Sequence, residues 1–261
     1  MANEDDAVIW LRPEVTGRGR TPGYSRAQIA KAAIAVADAE GLEAASMRRV
    51  AAEIGAAPMS LYRYVRNKGE LHVLMADEAL GAYARGWQAT PEEDWTERLR
   101  RTARTTRRLI LDHPWWAELV TRQTMFGPTI VRMYEKTLEG LDDLGLDIDE
   151  MMEIAEIVQT FVVGFAQREF HSSRAMATAE VTDPVQVHSA WHDYVKSLID
   201  SGEYPYLRRI VVEARVPHES DPQVLFERAL GRIIAGIAAT VPAISRGRSG
   251  AAADGSPPPG S

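Results

Sequence analysis

The side chains best suited to chemistry cluster between Pro58 and Lys68. The hydroxyl groups of Ser60 and Tyr62 can hydrogen-bond phosphates or base edges, and the thioether of Met59 can contact a thymine methyl group. The guanidinium of Arg63 can grip a guanine edge or clamp a phosphate. This combination of groups favours recognition of nucleic acid over the making or breaking of bonds.

Two short helices must position these side chains. Ser46 can cap a helix that runs to Ile54, Gly55 ends it, and a short helix from Pro58 to about Val65 follows the turn. Two short helices joined by a tight glycine turn are typical of a helix-turn-helix, whose second helix enters the major groove. The alternative is a three-helix bundle with a solvated basic face.

The helices on either side of this motif also carry clear start and stop signals. Ser25-x-x-Gln28 predicts a capping box at the start of a first helix, and Gly41 supplies its C-terminal stop. A fourth helix is expected from Asn67 to about Tyr83.

Charge is distributed unevenly along the chain. The 261 residues carry a net charge of −7, yet the segment from Trp10 to Lys68 has ten basic residues against five acidic ones. A basic N-terminal unit on an acidic body is typical of a nucleic-acid module joined to a second function. Lys68 and the neighbouring Arg48 and Arg49 are candidate phosphate contacts.

The segment from Ser46 to Leu71 resembles the DNA-binding domain of the tetracycline-repressor (TetR) family, and the likeness extends over Ser25 to Ala82. Its most specific part is Leu61-Tyr62-x-Tyr64-Val65-x-Asn67-Lys68-x-x-Leu71. The resemblance implies a homodimeric repressor that a small-molecule ligand releases from a palindromic operator. It places the DNA contacts on Arg48, Pro58, Met59, Ser60, Tyr62, Arg63, Tyr64 and Lys68.

The C-terminal part, from about Trp95 to Val241, is similar to the class that contains the tetracycline repressors themselves. In those proteins a carboxylate near the position of Arg168 helps to hold the magnesium of the drug chelate. Because this chain has a basic residue there and no clear counterpart of the metal-ligating histidine, we expect a different ligand, no metal and no cofactor.

Aromatic and sulfur-containing side chains are concentrated in the middle of the chain. Together with a few polar groups they could line a mostly apolar pocket. The alternative is ordinary core packing for any one of them. The expected ligand-binding residues are Trp115, Trp116, Met125, Phe126, Met133, Phe161, Phe165 and Arg168.

Two late helices, Ile148 to Ser172 and Asp221 to Val241, are apolar around most of their circumference. A helix of this kind is buried or paired. Both would suit a four-helix bundle across a two-fold axis, as the resemblance implies. The alternative is that both fill the core of a single chain.

The two ends of the chain differ in composition from the rest. Residues 1–24 are expected to form a flexible basic arm, in which Arg18 and Arg20, flanked by glycines, could enter a narrow minor groove. A solvated leader without contacts is the alternative. The segment is similar to arms of regulators that control antibiotic exporters. Residues 245–261 are expected to be a disordered tail.

Several other functions find little support. The sequence has no cysteine, no Ser-His-Asp spacing, no phosphate-binding glycine loop and no secretory or membrane-spanning segment, so we expect a soluble, cytoplasmic protein that is not an enzyme. His188 and His192 lie four residues apart and could share a metal, but two nitrogens rarely make a site alone. The alternative function is a helical carrier or enzyme with an incidental basic N-terminus.

The sequence therefore predicts an all-α regulator. It has an N-terminal three-helix helix-turn-helix domain at 25–83 and a larger helical ligand-binding and dimerisation domain at 94–241.

Overall fold

The computed structural model describes residues 8–14, 23–84, 93–122, 127–179, 184–214 and 221–252. These residues form α-helices, short 3-10 turns and connecting segments, and none of them lies in a β-strand, which confirms the predicted all-α class. In chain order the helices are α1 (Arg26–Glu40), α2 (Met47–Glu53), α3 (Pro58–Leu61), α4 (Lys68–Ala84), α5 (Trp95–Asp112), α6 (Trp115–Arg122), α7 (Pro128–Glu139), α8 (Ile148–Ala179), α9 (Pro184–Asp200), α10 (Pro205–Glu213) and α11 (Pro222–Ala252).

The head, residues 23–67, has helices that begin where the sequence supplies capping groups. The Ser25 hydroxyl accepts the Gln28 amide at 3.1 Å while the Gln28 side chain accepts the Ser25 amide at 2.9 Å, which confirms the capping box. The Ser46 hydroxyl accepts the amide of Arg49 and caps α2 without a reciprocal bond. Gly55 follows α2 at φ 67°, a left-handed conformation that favours glycine and redirects the chain towards α3.

The chain divides into two compact units. The first contains the residues up to Gln167 together with those from Gly236 onwards, and the second contains Arg168–Ala235. Within the first unit the buried apolar side chains of the head and of α4, α6 and α7 form one continuous cluster. The head therefore shares a hydrophobic core with part of the helical body that we expected to begin at residue 94.

Helix α4 is the element that joins the head to this body. It packs against α1, α5, α6 and α7, and Ala82 is the only residue of α4 that is fully exposed. Leu71, Met75 and Leu80 are completely buried. Because protein interiors are close-packed, a helix enclosed in this way cannot move without repacking both the head and the body.

A buried carboxylate connects α4 to the start of α7. Asp77, only 7% exposed, accepts the amide of Thr129 at 2.8 Å, the amide of Ile130 at 3.3 Å and the Thr129 hydroxyl at 2.9 Å. These are amides of the first helical turn, which have no partner inside their own helix. Asp77 thus caps α7 from another helix, and it fits because Gly127 has no side chain at the point where a Cβ would meet the carboxylate.

Several expected segment boundaries differ in the structure. Helix α3 ends at Leu61 and not at about Val65, and residues 62–64 form a turn. Helix α8 continues to Ala179, beyond the expected end at Ser172. Helix α11 continues to Ala252, so residues 245–252 of the expected disordered tail are helical, and residues 253–261 lie outside the described residues.

The structure also revises the N-terminal arm. Residues 8–14 contain a 3-10 turn at Ile9–Leu11 and pack against the head and body, with Ile9 only 3% exposed. This part of the expected flexible arm is therefore docked, because Ile9 and Trp10 supply apolar surface that the shared core accepts. Arg18 and Arg20 lie outside the described residues.

Gly127→Ala should destabilise the fold. Its Cβ would lie 2.1 Å from one Asp77 carboxylate oxygen and 2.5 Å from the carboxylate carbon, so α4 and α7 would have to separate. Forcing extra atoms into a packed site costs about 1–3 kcal/mol. Urea unfolding measures this loss.

Gly81→Ala is the matched control, because the nearest atom to its added Cβ is the Thr129 hydroxyl at an ordinary 3.7 Å. Replacing a helical glycine by alanine should stabilise α4 by up to about 1 kcal/mol. Equal unfolding free energies for the two variants would contradict the packing described for Gly127.

Candidate nucleic-acid interface

The α2–turn–α3 segment presents one face to solvent and buries the other. Val50, Ala51, Leu61 and Val65 are all 0% exposed and anchor the motif in the core. The Ala56 amide donates to the Ala51 carbonyl at 2.8 Å and fixes the turn between the two helices. The outward face of α3 is consequently held in a defined orientation.

The exposed side chains on and after α3 match most of the expected DNA contacts. Met59 is 76% exposed and Tyr62 is 44% exposed, so both side chains are accessible to a partner. Pro58 and Arg63 are also exposed. Ser60 is half-buried, and its hydroxyl donates to the Ala57 carbonyl at 2.6 Å, so its oxygen keeps only acceptor capacity.

Tyr64 is the exception among the expected contacts. It is 5% exposed and belongs to the core cluster, so the expectation that it projects outwards is wrong. Tyr64 follows Leu61 by three residues, a spacing that keeps both side chains on one side of a helical turn. Because Leu61 is buried, Tyr64 on the same side of the turn is buried as well.

Basic side chains around this face are held in ion pairs with nearby acids. The Lys68 ammonium lies 2.8 Å from the Glu43 carboxylate. Arg49 pairs with Glu40 at 2.7 Å and with Glu53 at 2.8 Å, and these hydrogen bonds raise the pKa of Arg49. A phosphate must compete with these carboxylates. Arg48 is exposed on α2, next to this cluster.

Trp115 and Trp116, which we expected to bind a ligand, pack between the head and the body. The Trp115 indole donates to Asp38 of α1 at 2.6 Å, and the Trp116 indole donates to the Ala76 carbonyl of α4 at 3.1 Å. Both rings are at least 95% buried. Each indole N–H finds its partner on a helix of the shared core, so both tryptophans contribute to packing, and their contact with a ligand stays a prediction.

The remaining expected pocket residues are distributed over several places. Met133 is buried in the core cluster, and the half-buried rings of Phe161 and Phe165 lie 5.6 Å apart on α8. Arg168 is exposed and belongs to the second compact unit. Met125 and Phe126 lie outside the described residues.

A separate apolar groove of about 520 Å³ lies where the N-terminal segment meets α7. Sequence reasoning missed this groove, since nothing in the local pattern brings residue 10 and α7 together. Its lining residues are Trp10, Gly127, Pro128, Val131, Arg132 and Glu135.

Sequence reasoning also missed the polar contacts that join the head to the body. Asp38 accepts Trp115 and lies 2.8 Å from His113 Nδ1, and Asp77 caps α7. The one available signal was an acid among the apolar residues of a predicted helix, as in Leu74-Met75-Ala76-Asp77. That signal does not reveal the partner.

Two further features bear on function. No helix in the described part of the chain is both long enough and apolar enough to cross a bilayer. Across those same ranges there is no group of three or more metal-ligating His, Asp or Glu side chains, while the His188 side chain lies outside the residues that are described.

The fold and this surface define a helix-turn-helix protein with a helical body. Family models agree with that class along most of the chain. Residues 29–73 match the bacterial regulatory proteins of the tetR family, and residues 88–241 match the tetracyclin repressor-like C-terminal domain. The chain therefore belongs to the TetR family of transcriptional regulators, and the expectation that it is not an enzyme is confirmed by that membership.

Individual relatives support the same assignment. The HTH-type transcriptional repressor DrrR1 of Streptomyces coeruleorubidus is 32% identical over 77% of this chain and 73% of its own length. Apo ActR from Streptomyces coelicolor has a similar structure, with a TM-score of 0.68 and 28% identity over 85% of this chain and 98% of ActR. ActR in complex with actinorhodin matches with a TM-score of 0.66 and 28% identity over 83% of this chain and 96% of ActR.

Acid should destabilise the head–body joint through His72 of α4. Burial, together with nearby Lys68, lowers the pKa of His72 below its ordinary value of 6.5. As the pH falls below 6.5, His72 therefore takes up a proton more readily in the unfolded chain than in the folded one. The free energy of unfolding decreases from that pH downwards until the pH passes the pKa of His72 in the folded chain. His72→Leu should remove this slope, which is at most about 1.4 kcal/mol per pH unit.

Urea unfolding between about pH 5 and pH 8 measures the effect. His192→Gln, a change at an exposed histidine, is the control and should leave the wild-type profile intact. A wild-type stability that stays constant below pH 6.5 would contradict the assignment.

Proposed function

We propose that this protein is a ligand-responsive repressor that binds a palindromic operator as a homodimer. The observation that carries the proposal is the outward side of α3 and of the turn after it, where Met59, Tyr62 and Arg63 are exposed while Leu61 and Val65 are fully buried. An accessible thioether, phenol and guanidinium side by side are groups that can contact thymine methyls, phosphates and guanine edges. The proposed base and phosphate contacts are Arg48, Pro58, Met59, Ser60, Tyr62, Arg63 and Lys68.

The proposed dimer forms through α8 and α11. Met152 and Ile157 of α8 are 49% and 43% exposed in the single chain, although α8 also buries Val158 and Val162. The exposed side of α8 also carries Glu153 and Glu156, so the proposed pairing with another copy would bury Met152 and Ile157 beside polar groups. A two-fold axis would supply two copies of α3 to the two half-sites of a palindrome.

We propose that the releasing ligand is a small, largely apolar or aromatic molecule. ActR, to which this chain is similar, has been solved in complex with actinorhodin, and that complex supports a small-molecule ligand for this chain. Phe161 and Phe165, which are half-buried on α8, are among the proposed ligand contacts, together with Met125 and Phe126. We further propose that the protein acts in the cytoplasm. There it would control an antibiotic-exporter gene and so contribute to antibiotic resistance.

The coupling between ligand and operator would run through α4. Three buried or half-buried polar contacts tie the head and α4 to α6 and α7: Trp115 to Asp38, Trp116 to the Ala76 carbonyl, and Asp77 to the amides of α7. A ligand that favours another arrangement of the body would therefore shift the population of head positions. By thermodynamic reciprocity, the operator must weaken binding of that ligand by the same factor.

A gel shift on the DNA that flanks its own gene tests the proposal. We expect a retarded protein–DNA complex. Aromatic antibiotics should dissociate this complex at the concentrations at which they bind the free protein. Arg63→Ala should weaken the complex by about 10- to 100-fold, the loss that follows removal of one base-reading arginine. Arg208→Ala, an exposed arginine in the second unit, is the control and should bind normally.

Ligand binding without any DNA complex would support a helical carrier instead. A complex that is equally stable with and without every bound ligand would contradict the proposed release.

The basic arm makes a separate prediction. We propose that Arg18 and Arg20 enter the minor groove beside the operator. The double change Arg18→Ala/Arg20→Ala should weaken operator binding and lower the slope of log affinity against log salt by about 2, because each lost phosphate contact lowers it by about 0.9. Changing Asn3 and Glu4 to alanine is the control. An unchanged salt slope in the arginine variant would assign both arginines to a solvated leader.

A further inference from the structure

The N-terminal segment, residues 8–14, contacts three helix starts that are far apart in the sequence. Ile9 is 3% exposed and is part of the shared core. The backbone of the segment is held by Arg26 at the start of α1, whose guanidinium donates to the Ile9 carbonyl at 2.8 Å and to the Arg12 carbonyl at 3.0 Å. The Arg26 amide in turn donates to the Glu14 carboxylate at 2.8 Å.

A nearly enclosed ion pair connects the same segment to the first turn of α4. The Arg12 guanidinium lies 2.5 Å from the Glu70 carboxylate, and the two side chains are only 11% and 15% exposed. The same Glu70 oxygen accepts the amide of Arg66 at 2.8 Å, just before α4 begins. Arg12 therefore acts on the turn that follows the outward face of α3.

Trp10 connects the N-terminal segment to the body. It packs against the core cluster and lines the groove with Gly127, Pro128 and Val131 at the start of α7. One short segment thus contacts the start of α1, the start of α4 and the start of α7. The last of these helix starts is also the one that Asp77 caps.

We infer that residues 8–14 form a clasp that holds the first turn of α4 against α7, and that Arg12 is a positioning residue for the DNA-reading face through its pair with Glu70. The clasp touches no DNA. It sets the orientation of α3 because the pair fixes the turn that joins α3 to α4. This inference rests on the proposed operator binding, which it deepens by naming a determinant of head position outside the helix-turn-helix.

The alternative role for Arg12 is a phosphate contact, as expected of a basic arm. The two roles predict opposite results for Glu70. Removing a negative charge beside a phosphate-binding surface strengthens DNA binding if only charge matters, whereas loss of the clasp partner weakens it. Gln at position 70 can still accept the Arg66 amide, so Glu70→Gln removes the charge of the pair and little else.

The experiment compares Arg12→Gln, Glu70→Gln and Arg12→Lys in the full chain. Operator affinity is measured across a salt series, and backbone hydrogen exchange is measured without DNA. We expect Arg12→Gln and Glu70→Gln each to weaken operator affinity about tenfold, with the affinity for unrelated DNA and the salt slope unchanged. Arg12→Lys keeps the charge and should recover most of the loss. The control Lys196→Gln breaks an exposed ion pair on α9 and should change nothing.

Hydrogen exchange gives a reading that does not depend on DNA. Without the Arg12 pair, the turn between α3 and α4 should open more often, even though residue 70 can still accept the Arg66 amide. In the absence of DNA, the amides of Arg66 and Leu71 should therefore exchange faster in Arg12→Gln and Glu70→Gln than in the wild type. Unchanged exchange at these amides, or a Glu70→Gln variant that binds operator as tightly as the wild type, would overturn the clasp. A wild type that binds no operator would instead overturn the proposed function, while the exchange result would still decide whether the clasp exists.

Discussion

The structure depends on a helix that belongs to two packing environments at once. Helix α4 is enclosed by the head on one side and by α5, α6 and α7 on the other, and its carboxylate at Asp77 is buried. Burial raises the pKa of Asp77, and the bonds from Thr129 and Ile130 partly offset that rise. A buried carboxylate is tolerated only when donors surround it, so the position of α7 relative to α4 is fixed by the need to satisfy that group.

The same constraint explains how a chain of this fold could transmit a signal. Two helices joined only by hydrophobic contacts can shift along each other. The hydrogen bonds from the α7 amides to Asp77 and from Trp116 to the Ala76 carbonyl resist such a shift, because they have defined lengths and directions. A rearrangement of α6 or α7 must therefore either carry α4 with it or break buried hydrogen bonds, each worth about 1–3 kcal/mol when a partner is left unsatisfied. Since differential ligand binding typically supplies a similar energy, movement of α4 is the less costly outcome.

Local chemistry in the sequence predicted the head well. The Ser25–Gln28 capping box, the stop at Gly41 and the turn at Gly55 depend on neighbouring residues, and the structure confirms each of them. The body was harder to predict, because an aromatic side chain suits a ligand pocket and a core equally well. Trp115 and Trp116 were assigned to the pocket, and only the positions of Asp38 and Ala76, about forty to eighty residues away, reveal their structural role. The Arg12–Glu70 pair was unpredictable for the same reason, since 58 residues separate its members.

The most direct test of this account is the distance between the two heads of a dimer. The chain has no cysteine, so a single Ala35→Cys change on the exposed side of α1 gives one spin-label site per protomer. Pulsed electron-spin measurements would then report the label-to-label distance with and without a releasing ligand. The account predicts one distance distribution for the operator-bound dimer and a displaced one for the ligand-bound dimer. Identical distributions in the two states would contradict the claim that α4 carries the ligand signal to the DNA-reading face.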